Sequence, residues 1–483
     1  SRPSVGGTFL FVERNDFMIT KPKGCHDIYG MEAKKWQYVG TVIDALMDKY
    51  HYGFIRTPIF EETSLFHRGV GNTTDIVTKE TYDFKDRGDR DMTLRPEGTA
   101  GIVRSYIENK MYGDATQPIK LYYNGTMYRY ERPQSGRDRE LTQFGAEVLG
   151  SDDPIIDAEV ISIPVNLFKI LGLKEIKVNI NTLGDDESRR AYREALIEYF
   201  KPHIDELCDD CKERFQKNPL RILDCKVDKD NPILKNAPTT LDYLNEQSKE
   251  RFEKVKEYLG TMGIETVVDS RLVRGLDYYN HTVFEIEAKV DGFGSNNVLA
   301  AGGRYNGLVE LLDGPKTPGI GFAMGMGRLM MALDLEKIEL PIDDTIDAFV
   351  MYVNEEEKLY AINLTQDLRM QGFKVETEYL GRGLKGQFKQ ADRLHAKFLV
   401  ILNSDDIASN LVNVKNNETK EEEKVDIDYL MYYLDEQLND LEDISKLGGE
   451  IESDDEDCDC DHDHCEHGHC HCGKHGSCHH KGE

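Results

Sequence analysis

Residues 127–147 read MYRYERPQSGRDRELTQFGAE and decide the fold. Apolar residues alternate before Arg129, a turn with Pro133 and Gly136 follows, and the alternation resumes at Leu141. This pattern predicts two strands joined by a loop. Four arginines fall within eleven residues around the loop, and guanidinium groups match phosphate oxygens in geometry and charge. They are Arg129, Arg132, Arg137 and Arg139. The loop could be only a solvated charged turn, but its apolar flanks favour a phosphate-binding site.

Other short stretches combine arginines, carboxylates, tyrosines and glycines in ways that suit a small-molecule site. They read TLRPEGT at 93–99, RGLDYY at 274–279, AGGRYNGL at 301–308 and GFAMGMGRL at 321–329. Together with the hairpin, they resemble the histidyl-tRNA synthetase family of class II aminoacyl-tRNA synthetases, in the family's order, over residues 18–436. The hairpin is similar to class II motif 2, residues 321–329 to motif 3, and the helix, strand and proline pattern at 36–58 to motif 1.

The resemblance implies an α+β fold, in which a class II antiparallel sheet is flanked by helices. Residues 185–263 are rich in Glu, Lys, Arg and Leu and interrupt the catalytic stretches, which favours a helical insertion. After Pro341 strand and helix patterns alternate, as in a small α/β domain on a mostly parallel sheet, similar to the family's anticodon-binding domain. The predicted segments are upstream or added sequence at 1–17, catalytic domain at 18–184 and 265–338, helical insertion at 185–264, anticodon-binding domain at 345–438, and a disordered acidic tail at 445–483.

The composition bounds the location and the partners of the chain. The formal net charge of its 483 residues is -29, whereas nucleic-acid binding usually needs a basic face. Local arginine clusters can still contact RNA, so the acidity only restricts where RNA can lie. No stretch approaches the roughly 20 apolar residues of a membrane span, and no secretory signal is visible. We therefore expect a soluble, cytoplasmic protein with no membrane partner and with reduced thiols.

The resemblance implies an ATP-dependent reaction in which the carboxylate of histidine attacks the α-phosphate of ATP. Arg129 is then expected to contact the α-phosphate, and Arg274 to supply a second cation there. Arg137 and Arg328 are expected to hold the outer phosphates, assisted by Mg²⁺. Fixed cations suit this reaction because negative charge builds on the phosphoryl oxygens.

Three further positions in the phosphate-binding motifs complete the expectation. Arg132 and Gln134, in the motif 2 loop, are assigned by resemblance to the acceptor end of tRNA(His). The residue before Arg328 is usually Glu in motif 3, and here it is Gly327. Because glycine is conformationally free, this departure raises the question of how Arg328 is aligned.

Selecting histidine requires a carboxylate for the α-ammonium group and polar partners for both imidazole nitrogens. The resemblance assigns Glu97 to the first task and Glu147 with Tyr279 to the second, while Gln143 and Tyr305 line the pocket. A site that hydrogen-bonds both ring nitrogens rejects analogues that leave its own polar groups unpaired.

The insertion contains a possible zinc site. Cys208 and Cys211 are spaced as Cys-x-x-Cys, Cys225 follows, and His203 precedes them, so the four could form a tetrahedral site. No second close pair is visible, and three cysteines in a helical segment are often small buried hydrophobic residues. Both interpretations remain open from sequence.

The C-terminal tail gives a stronger metal signal. Thiolates and imidazoles suit Zn²⁺, Ni²⁺ or Cu⁺, and a flexible acidic segment can fold around such an ion. The alternative is an extension with incidental affinity for metals. No family motif covers the tail. Its candidate ligands are Cys458, Cys460, His462, His464, Cys465, His467, His469, Cys470, His471, Cys472, His475, Cys478, His479 and His480.

The function implied is ligation of L-histidine to tRNA(His) through a histidyl-adenylate, by a homodimer built on motif 1. The main alternative is an inactive paralogue that serves as a regulatory subunit of ATP phosphoribosyltransferase in histidine biosynthesis. Such paralogues resemble the catalytic domain alone and lose the stretch equivalent to residues 274–279, whereas this chain keeps that stretch and a C-terminal domain. A third reading, metal storage through the tail, is retained only as a second role.

Overall fold

The computed structural model describes residues 19–71, 74, 76–133, 136–223, 225, 227–293 and 297–447. The chain divides into two compact units, the first ending at Ile342 and the second beginning at Asp343. The predicted upstream segment, and all of the predicted tail beyond Leu447, lie outside the described residues. None of the described helices is long and apolar enough to cross a membrane.

A mixed, mainly antiparallel sheet of eight strands is the centre of the first unit. Its strand order is β1-β5-β6-β11-β10-β9-β7-β8, and a small separate sheet has the order β2-β4-β3. Only the two edge strands of the large sheet, β1 and β8, pair in parallel with their neighbours. The strands are β1 (Gly53–Phe54), β2 (Phe60–Glu62), β3 (Tyr82–Lys85), β4 (Asp91–Leu94), β5 (Ile119–Tyr128), β6 (Glu140–Leu149), β7 (Ile176–Thr182), β8 (Thr266–Val268), β9 (Asn280–Ala288), β10 (Val298–Arg304) and β11 (Gly319–Gly325).

Helices flank this sheet, as the resemblance predicts. One of them, α4 (Pro154–Ile170), begins where Asp153 accepts a hydrogen bond from the backbone N–H of Ile155 and Pro154 occupies the first turn. The helices of the first unit are α1 (Gly30–Lys49), α2 (Thr63–Val70), α3 (Thr99–Glu108), α4 (Pro154–Ile170), α5 (Asp186–Phe200), α6 (Asp209–Lys217), α7 (Pro232–Lys235), α8 (Glu246–Thr261), α9 (Leu308–Leu311) and α10 (Met326–Leu335).

Strand β6 shows how the sequence divides the sheet into a core face and a site face. Side chains alternate between the faces of a strand. Phe144, Ala146 and Val148 enter the main apolar core. Gln143 and Glu147 therefore point to the other face, and both are also buried. A strand buried on both faces, with carboxylate and amide groups on one of them, positions a polar site inside the molecule.

The predicted insertion has a small core of its own. That core contains Tyr192, Leu196, Phe200 and Ile222, together with two of the three predicted cysteines. Helix α8 behaves differently, because it contributes side chains to the main core of the sheet. The separate core is therefore formed by the part of the stretch before α8.

The second unit is a five-stranded sheet with the order β13-β12-β14-β15-β16. The expectation of a mostly parallel sheet is only half correct, because β14–β15 and β15–β16 are antiparallel. The last two strands are partly exposed and polar, so they lack the apolar runs that mark the buried strands β12 and β14. The elements are β12 (Ile346–Tyr352), β13 (Val375–Thr377), β14 (Ala396–Leu402), β15 (Leu411–Asn416), β16 (Glu422–Asp426), α11 (Lys358–Met370), α12 (Leu384–Arg393), α13 (Ser404–Ala408) and α14 (Leu430–Leu447).

Candidate active site

The loop between β5 and β6 brings two of its arginines to one carboxylate. Arg129 Nη1 lies 3.9 Å from Glu131 Oε1, and Arg137 Nη1 lies 3.5 Å from Glu131 Oε2. Arg129 is fixed further because its Nε donates a hydrogen bond of 2.8 Å to the backbone oxygen of Pro96. The two guanidinium groups therefore lie near the two oxygens of one carboxylate.

Arg328 joins this pair from the first turn of α10. Its Nε donates to the backbone oxygen of Gly136 at 3.1 Å, and its Nη1 donates to that of Val298 at 3.0 Å. Burial, followed by the charge of nearby Arg137, lowers the pKa of the Arg328 guanidinium. Gly327 is exposed, and a Cβ there would meet nothing within 4 Å. The two carbonyl contacts thus help to orient the Arg328 side chain.

Arg274 reaches the same group of charges from a different segment. It forms an ion pair through Nη1 with Glu285 on β9, and both side chains are about one-fifth exposed, at 20% and 23%. The charge of Glu285 also acts on Arg328. The backbone oxygen of Arg274 accepts a hydrogen bond of 3.0 Å from Arg221 Nη1 in the insertion. The guanidinium is thus placed by its carboxylate partner, and its backbone by the insertion.

The remaining polar residues of the motif 2 loop are placed differently. Arg139 lies over the ring of Tyr130, 4.0 Å from its centre, and its Nε donates to the backbone oxygen of Glu131 at 3.1 Å. It therefore braces the loop. Arg132 is exposed. Gln134 lies outside the described residues.

Glu97 lies just before α3, close enough to Arg129 for the arginine's charge to act on it. Its carboxylate accepts hydrogen bonds from the backbone N–H groups of Thr99 at 2.8 Å and Ala100 at 2.7 Å. Burial raises the pKa of Glu97, and these N–H groups together with the charge of Arg129 act in the opposite sense. The helix start thus holds a buried carboxylate next to the arginine group.

Glu147 is the second buried carboxylate of the pocket. It accepts hydrogen bonds of 2.6 Å from the hydroxyl groups of Thr99 and Tyr305. Burial raises its pKa to about 8, against the effect of the two hydroxyl groups, and the charge of Glu97 raises it further. Facing it on β11, Gly321 has no room for a side chain, because a Cβ there would lie 1.7 Å from Glu147 Oε2. The glycine of motif 3 therefore makes space for this carboxylate.

Tyrosine rings enclose the pocket. The ring centres of Tyr278 and Tyr279 are 4.6 Å apart, and those of Tyr278 and Tyr305 are 5.8 Å apart. The hydroxyl of Tyr123 and Oε1 of Gln143 are buried and have no hydrogen-bond partner among the described residues. Buried polar atoms are nearly always paired, so these two point to a polar ligand or to water in the pocket.

Sequence reasoning missed Thr99 and Tyr123 in this pocket. Thr99 lies inside the quoted stretch 93–99, two residues after Glu97, where a hydroxyl at a helix start is a usable signal. Tyr123 is accommodated by Gly98 and Gly145, since a Cβ at either glycine would come within 2.6 Å of its ring or hydroxyl. That packing depends on strand pairing and leaves no local signal.

Arg304, in the stretch 301–308, turns out to be structural. It is fully buried, and its Nη2 lies 2.6 Å from Asp157 Oδ2 on α4, which is also fully buried. The backbone oxygen of Ser151 accepts another hydrogen bond from its Nη1 at 2.9 Å. Arg304 therefore ties β10 to α4.

The two predicted metal sites have different outcomes. Every candidate ligand of the tail lies outside the described residues. In the insertion, Cys208, Cys211 and Cys225 do come together, but the fourth group beside them is Asp228. His203 pairs instead with Glu206, at 3.1 Å.

Sheet order, hairpin and the grouping of arginines beside buried carboxylates define a class II aminoacyl-tRNA synthetase fold. A family profile described as "Histidyl-tRNA synthetase" matches residues 24–329, and one described as "Anticodon binding domain" matches residues 347–437. The chain belongs to the histidyl-tRNA synthetase family, which confirms the resemblance and the fold class.

The relatives are similar along nearly their whole length. The chain is 55% identical to a histidine–tRNA ligase of Anoxybacillus flavithermus over 406 residues, which are 84% of this chain and 96% of that protein. It is 54% identical to one of Bacillus cytotoxicus over 417 residues, which are 86% of this chain and 99% of that protein. The chain is also similar to a crystal structure of apo S. aureus histidyl-tRNA synthetase, with 45% sequence identity and a TM-score of 0.76. The alignment covers 86% of this chain and 100% of the S. aureus chain.

Proposed function

We propose that the chain ligates histidine to tRNA(His), with ATP as the energy source and a histidyl-adenylate as the intermediate. One observation carries the proposal. Arg129 hydrogen-bonds the backbone oxygen of Pro96, so the arginine group lies directly beside the carboxylate of Glu97. A phosphate-binding half and an amino-acid-binding half therefore adjoin, as joining an amino acid to a nucleotide requires. Relatives more than 50% identical are named histidine–tRNA ligase.

In the first step, an oxygen of the histidine carboxylate attacks the α-phosphorus of ATP and pyrophosphate leaves. Arg129 and Arg274 are proposed to oppose the charge that develops on the α-phosphoryl oxygens. Arg137 and Arg328 are proposed to hold the outer phosphates. Mg²⁺ enters with ATP and neutralises phosphate charge. Glu131 and Glu285 lie among these guanidinium groups, and they offer the oxygen ligands that Mg²⁺ prefers.

Histidine itself is proposed to bind between the two buried carboxylates. Glu97 receives the α-ammonium group, while Glu147 and Tyr279 meet the imidazole nitrogens. Gln143 and Tyr305 line the pocket. The buried and unpaired Oε1 of Gln143 supports this assignment, because a ligand with several donors would satisfy it.

The partners and the location are also proposals. Arg132 and Gln134 would contact the acceptor end of the tRNA, and residues 345–438 its anticodon. Motif 1 would build a homodimer, supported by the exposed apolar side chains of Phe54 within it and Phe60 just after it. A cytoplasmic location fits this role in translation. The segments 18–184, 185–264 and 265–338 remain the proposed parts of the catalytic unit.

The Cys/His-rich tail is proposed to bind Zn²⁺ or Ni²⁺ and to be dispensable for catalysis. The relatives are matched over 96–99% of their own length by at most 86% of this chain. A chain that ends at Gly449 should therefore charge tRNA as fast as the full chain in metal-free buffer. Loss of charging on this deletion would make the tail part of the enzyme.

The decisive experiment is exchange between ATP and pyrophosphate with each amino acid in turn, followed by charging of tRNA(His). We expect exchange to require histidine and Mg²⁺. Equal stimulation by a second amino acid would contradict the assignment. No exchange with any amino acid would instead favour the regulatory-subunit alternative.

A further inference from the structure

Four potential metal ligands converge in the predicted insertion, outside the pocket described above. The thiol sulfurs of Cys208, Cys211 and Cys225 and a carboxylate oxygen of Asp228 all lie within 4.8 Å of one another. Cys208 Sγ and Cys225 Sγ are 3.6 Å apart, and Cys225 Sγ is 3.7 Å from Asp228 Oδ2. Two thiolates at the usual Zn–S distance of about 2.3 Å in a tetrahedral site are separated by about 3.8 Å. The separations of Cys225 Sγ from Cys208 Sγ and from Asp228 Oδ2 are close to this value.

The local chain geometry explains why these groups meet. Cys208 precedes α6 and Cys211 lies in its first turn, so their side chains share one face of the helix. Cys225 and Asp228 repeat the same three-residue spacing. The site therefore has the second close pair that a tetrahedral centre needs, with a carboxylate in place of a fourth thiol.

Backbone N–H groups support the ligands in the way that outer hydrogen bonds support metal sites. The N–H of Asp228 donates to Cys225 Sγ at 3.4 Å, and the N–H of Cys208 donates to Asp228 Oδ2 at 3.0 Å. Such contacts orient a thiolate and a carboxylate toward a common cation. They link the two pairs of ligands into one loop structure.

Two simpler explanations fit the arrangement less well. A disulfide between Cys208 and Cys225 would need a sulfur separation of about 2.05 Å, well below the 3.6 Å observed. A purely hydrophobic role accounts for the burial of Cys211 and Cys225, and hydrogen bonds from Cys208 and Cys225 account for the position of Asp228. Neither calls for three sulfurs and a carboxylate oxygen within 4.8 Å of one another.

We propose that Cys208, Cys211, Cys225 and Asp228 bind one zinc ion as a structural site. Four protein ligands close the coordination sphere, which is the arrangement of structural and not of catalytic zinc. Three of the ligands are soft thiolates, which select Zn²⁺ over Mg²⁺ or Ca²⁺. The ion would stabilise an insertion whose own apolar core is small.

The zinc site also has a route to the active site. Asn218 and Arg221 lie between the two ligand pairs. Asn218 Nδ2 donates to Asp277 Oδ1 at 3.1 Å, and Arg221 Nη1 donates to the backbone oxygen of Arg274 at 3.0 Å. Zinc would fix both ends of the segment 208–228. That segment contains the two residues that hydrogen-bond to the loop of Arg274. Arg221 is thus a positioning residue, and this consequence, unlike the zinc site itself, rests on the proposed function.

The first test measures metal in a chain that ends at Leu447, which keeps every described residue and omits the competing ligands of the tail. After purification under reducing conditions we expect about one zinc ion per chain by elemental analysis. The double variant Cys211→Ser Cys225→Ser should lose it, whereas the control Cys25→Ser should retain it. In the full chain, the double variant should hold one zinc fewer than the parent.

The second test uses Co²⁺ in place of zinc. The absorption spectrum of bound Co²⁺ shows which groups coordinate it, so the result can be interpreted even if a variant is less stable. The parent should show thiolate-to-cobalt charge transfer and the visible bands of a tetrahedral ion. Asp228→Asn should keep the former and shift the latter. Failure of the parent chain to take up either metal would overturn the proposal. So would an intact mass lower by two hydrogens, because that would reveal a disulfide.

The link to Arg274 is tested by ATP–pyrophosphate exchange in the double variant Cys211→Ser Cys225→Ser. Because a misplaced catalytic group lowers turnover, kcat should fall roughly ten- to a hundredfold with little change in KM for histidine. A zinc-loaded parent without exchange would remove the proposed function and leave the site intact. A zinc-free variant with normal kcat would refute the link alone.

Discussion

Two arginine–carboxylate pairs in the first unit, Arg304 with Asp157 and Arg274 with Glu285, use the same chemical groups to different ends. Arg304 and Asp157 are both 0% exposed, and backbone oxygens take up further N–H groups of the guanidinium. Arg274 and Glu285 are 20% and 23% exposed, and Glu285 also acts on Arg328. A buried pair that other protein groups compensate holds elements together, while a pair at the edge of a cationic pocket can receive a ligand.

The difference lies in how each charge is compensated. A buried ion pair offsets its loss of hydration only when geometry and additional hydrogen bonds are nearly complete. Arg304 meets this condition between β10 and α4. Arg274 and Glu285 instead lie near other charges. These are the guanidinium groups of Arg129, Arg137 and Arg328 and the carboxylate of Glu131. Positive charge is in excess among these groups, and an anionic substrate would neutralise it.

The largest effect is expected for Arg304→Leu. It leaves the charge of Asp157 buried without its main partner, which typically costs about 3–5 kcal/mol of stability. Arg251, whose Nη2 lies 3.3 Å from Asp157, should keep the loss near the lower end. Urea unfolding of the purified variant measures it.

The matched control for that variant is Arg304→Leu with Asp157→Leu, which removes both charges. It should recover much of the stability, because replacing a whole buried pair by apolar groups is often neutral. A single variant as stable as the parent would show that the buried pair is not structural, and the comparison with Arg274 would lose its basis.

The next largest effect is expected for Arg274→Ala, now on the reaction. Loss of one fixed cation that opposes charge in the transition state costs about 3 kcal/mol, or roughly a hundredfold or more in kcat. KM for histidine should change little, because the contact acts mainly in the transition state. Stability should change by less than about 1 kcal/mol, as for other part-exposed pairs.

Arg271→Ala is the control for this variant. Arg271 lies three residues earlier in the same segment, is exposed, and donates to the backbone oxygen of Lys235 in the insertion. Its loss should leave exchange near normal. If Arg274→Ala turned over normally as well, Arg274 would be a structural residue like Arg304.

The sequence could not separate these two arginines. Both lie in glycine-containing polar stretches, at 274–279 and 301–308. The partner of Arg304 is 147 residues away, and that of Arg274 is 11 residues away. An arginine is usually a surface residue, so its complete burial only becomes visible once β10 and α4 are packed together. Family resemblance supplied the assignment of Arg274, and tertiary structure supplied that of Arg304.

Local patterns predicted the hairpin and the buried strands well, and long-range pairing poorly. Alternation around Leu141 placed β6, because one face of that strand is uniformly apolar. The strands β15 and β16 lack such a run and were not predicted. Asp228 carried a signal, the repeated three-residue spacing after Cys225, but aspartate is too common in an acidic chain for spacing alone to single it out.

The smallest effect is expected for Glu147, a buried carboxylate that accepts hydrogen bonds from two hydroxyl groups and is not paired with a cation in the contacts described above. Burial raises the pKa of Glu147 to about 8, while the unfolded chain releases this proton near pH 4. Between these values the folded state binds more protons, so stability falls as pH rises from about 4 to about 8 and then levels off. Glu147→Gln removes this loss, and its stability relative to the parent should increase by roughly 1 kcal/mol between pH 7 and pH 9.

Thermal unfolding of both proteins without histidine, at several pH values, measures this difference. Glu97, whose pKa is also raised by burial, is present in both proteins, and its charge acts on the Glu147 carboxylate only in the parent. Tyr305→Phe is the matched control, because it removes one donor to the Glu147 carboxylate and so raises the pKa of Glu147. In this variant the pH at which stability levels off should be higher than in the parent. A difference between Glu147→Gln and the parent that stays constant from pH 5 to pH 9 would mean that Glu147 is already ionised throughout. The pocket would then need a cation close to Glu147 to compensate its charge, as Arg304 compensates the charge of Asp157.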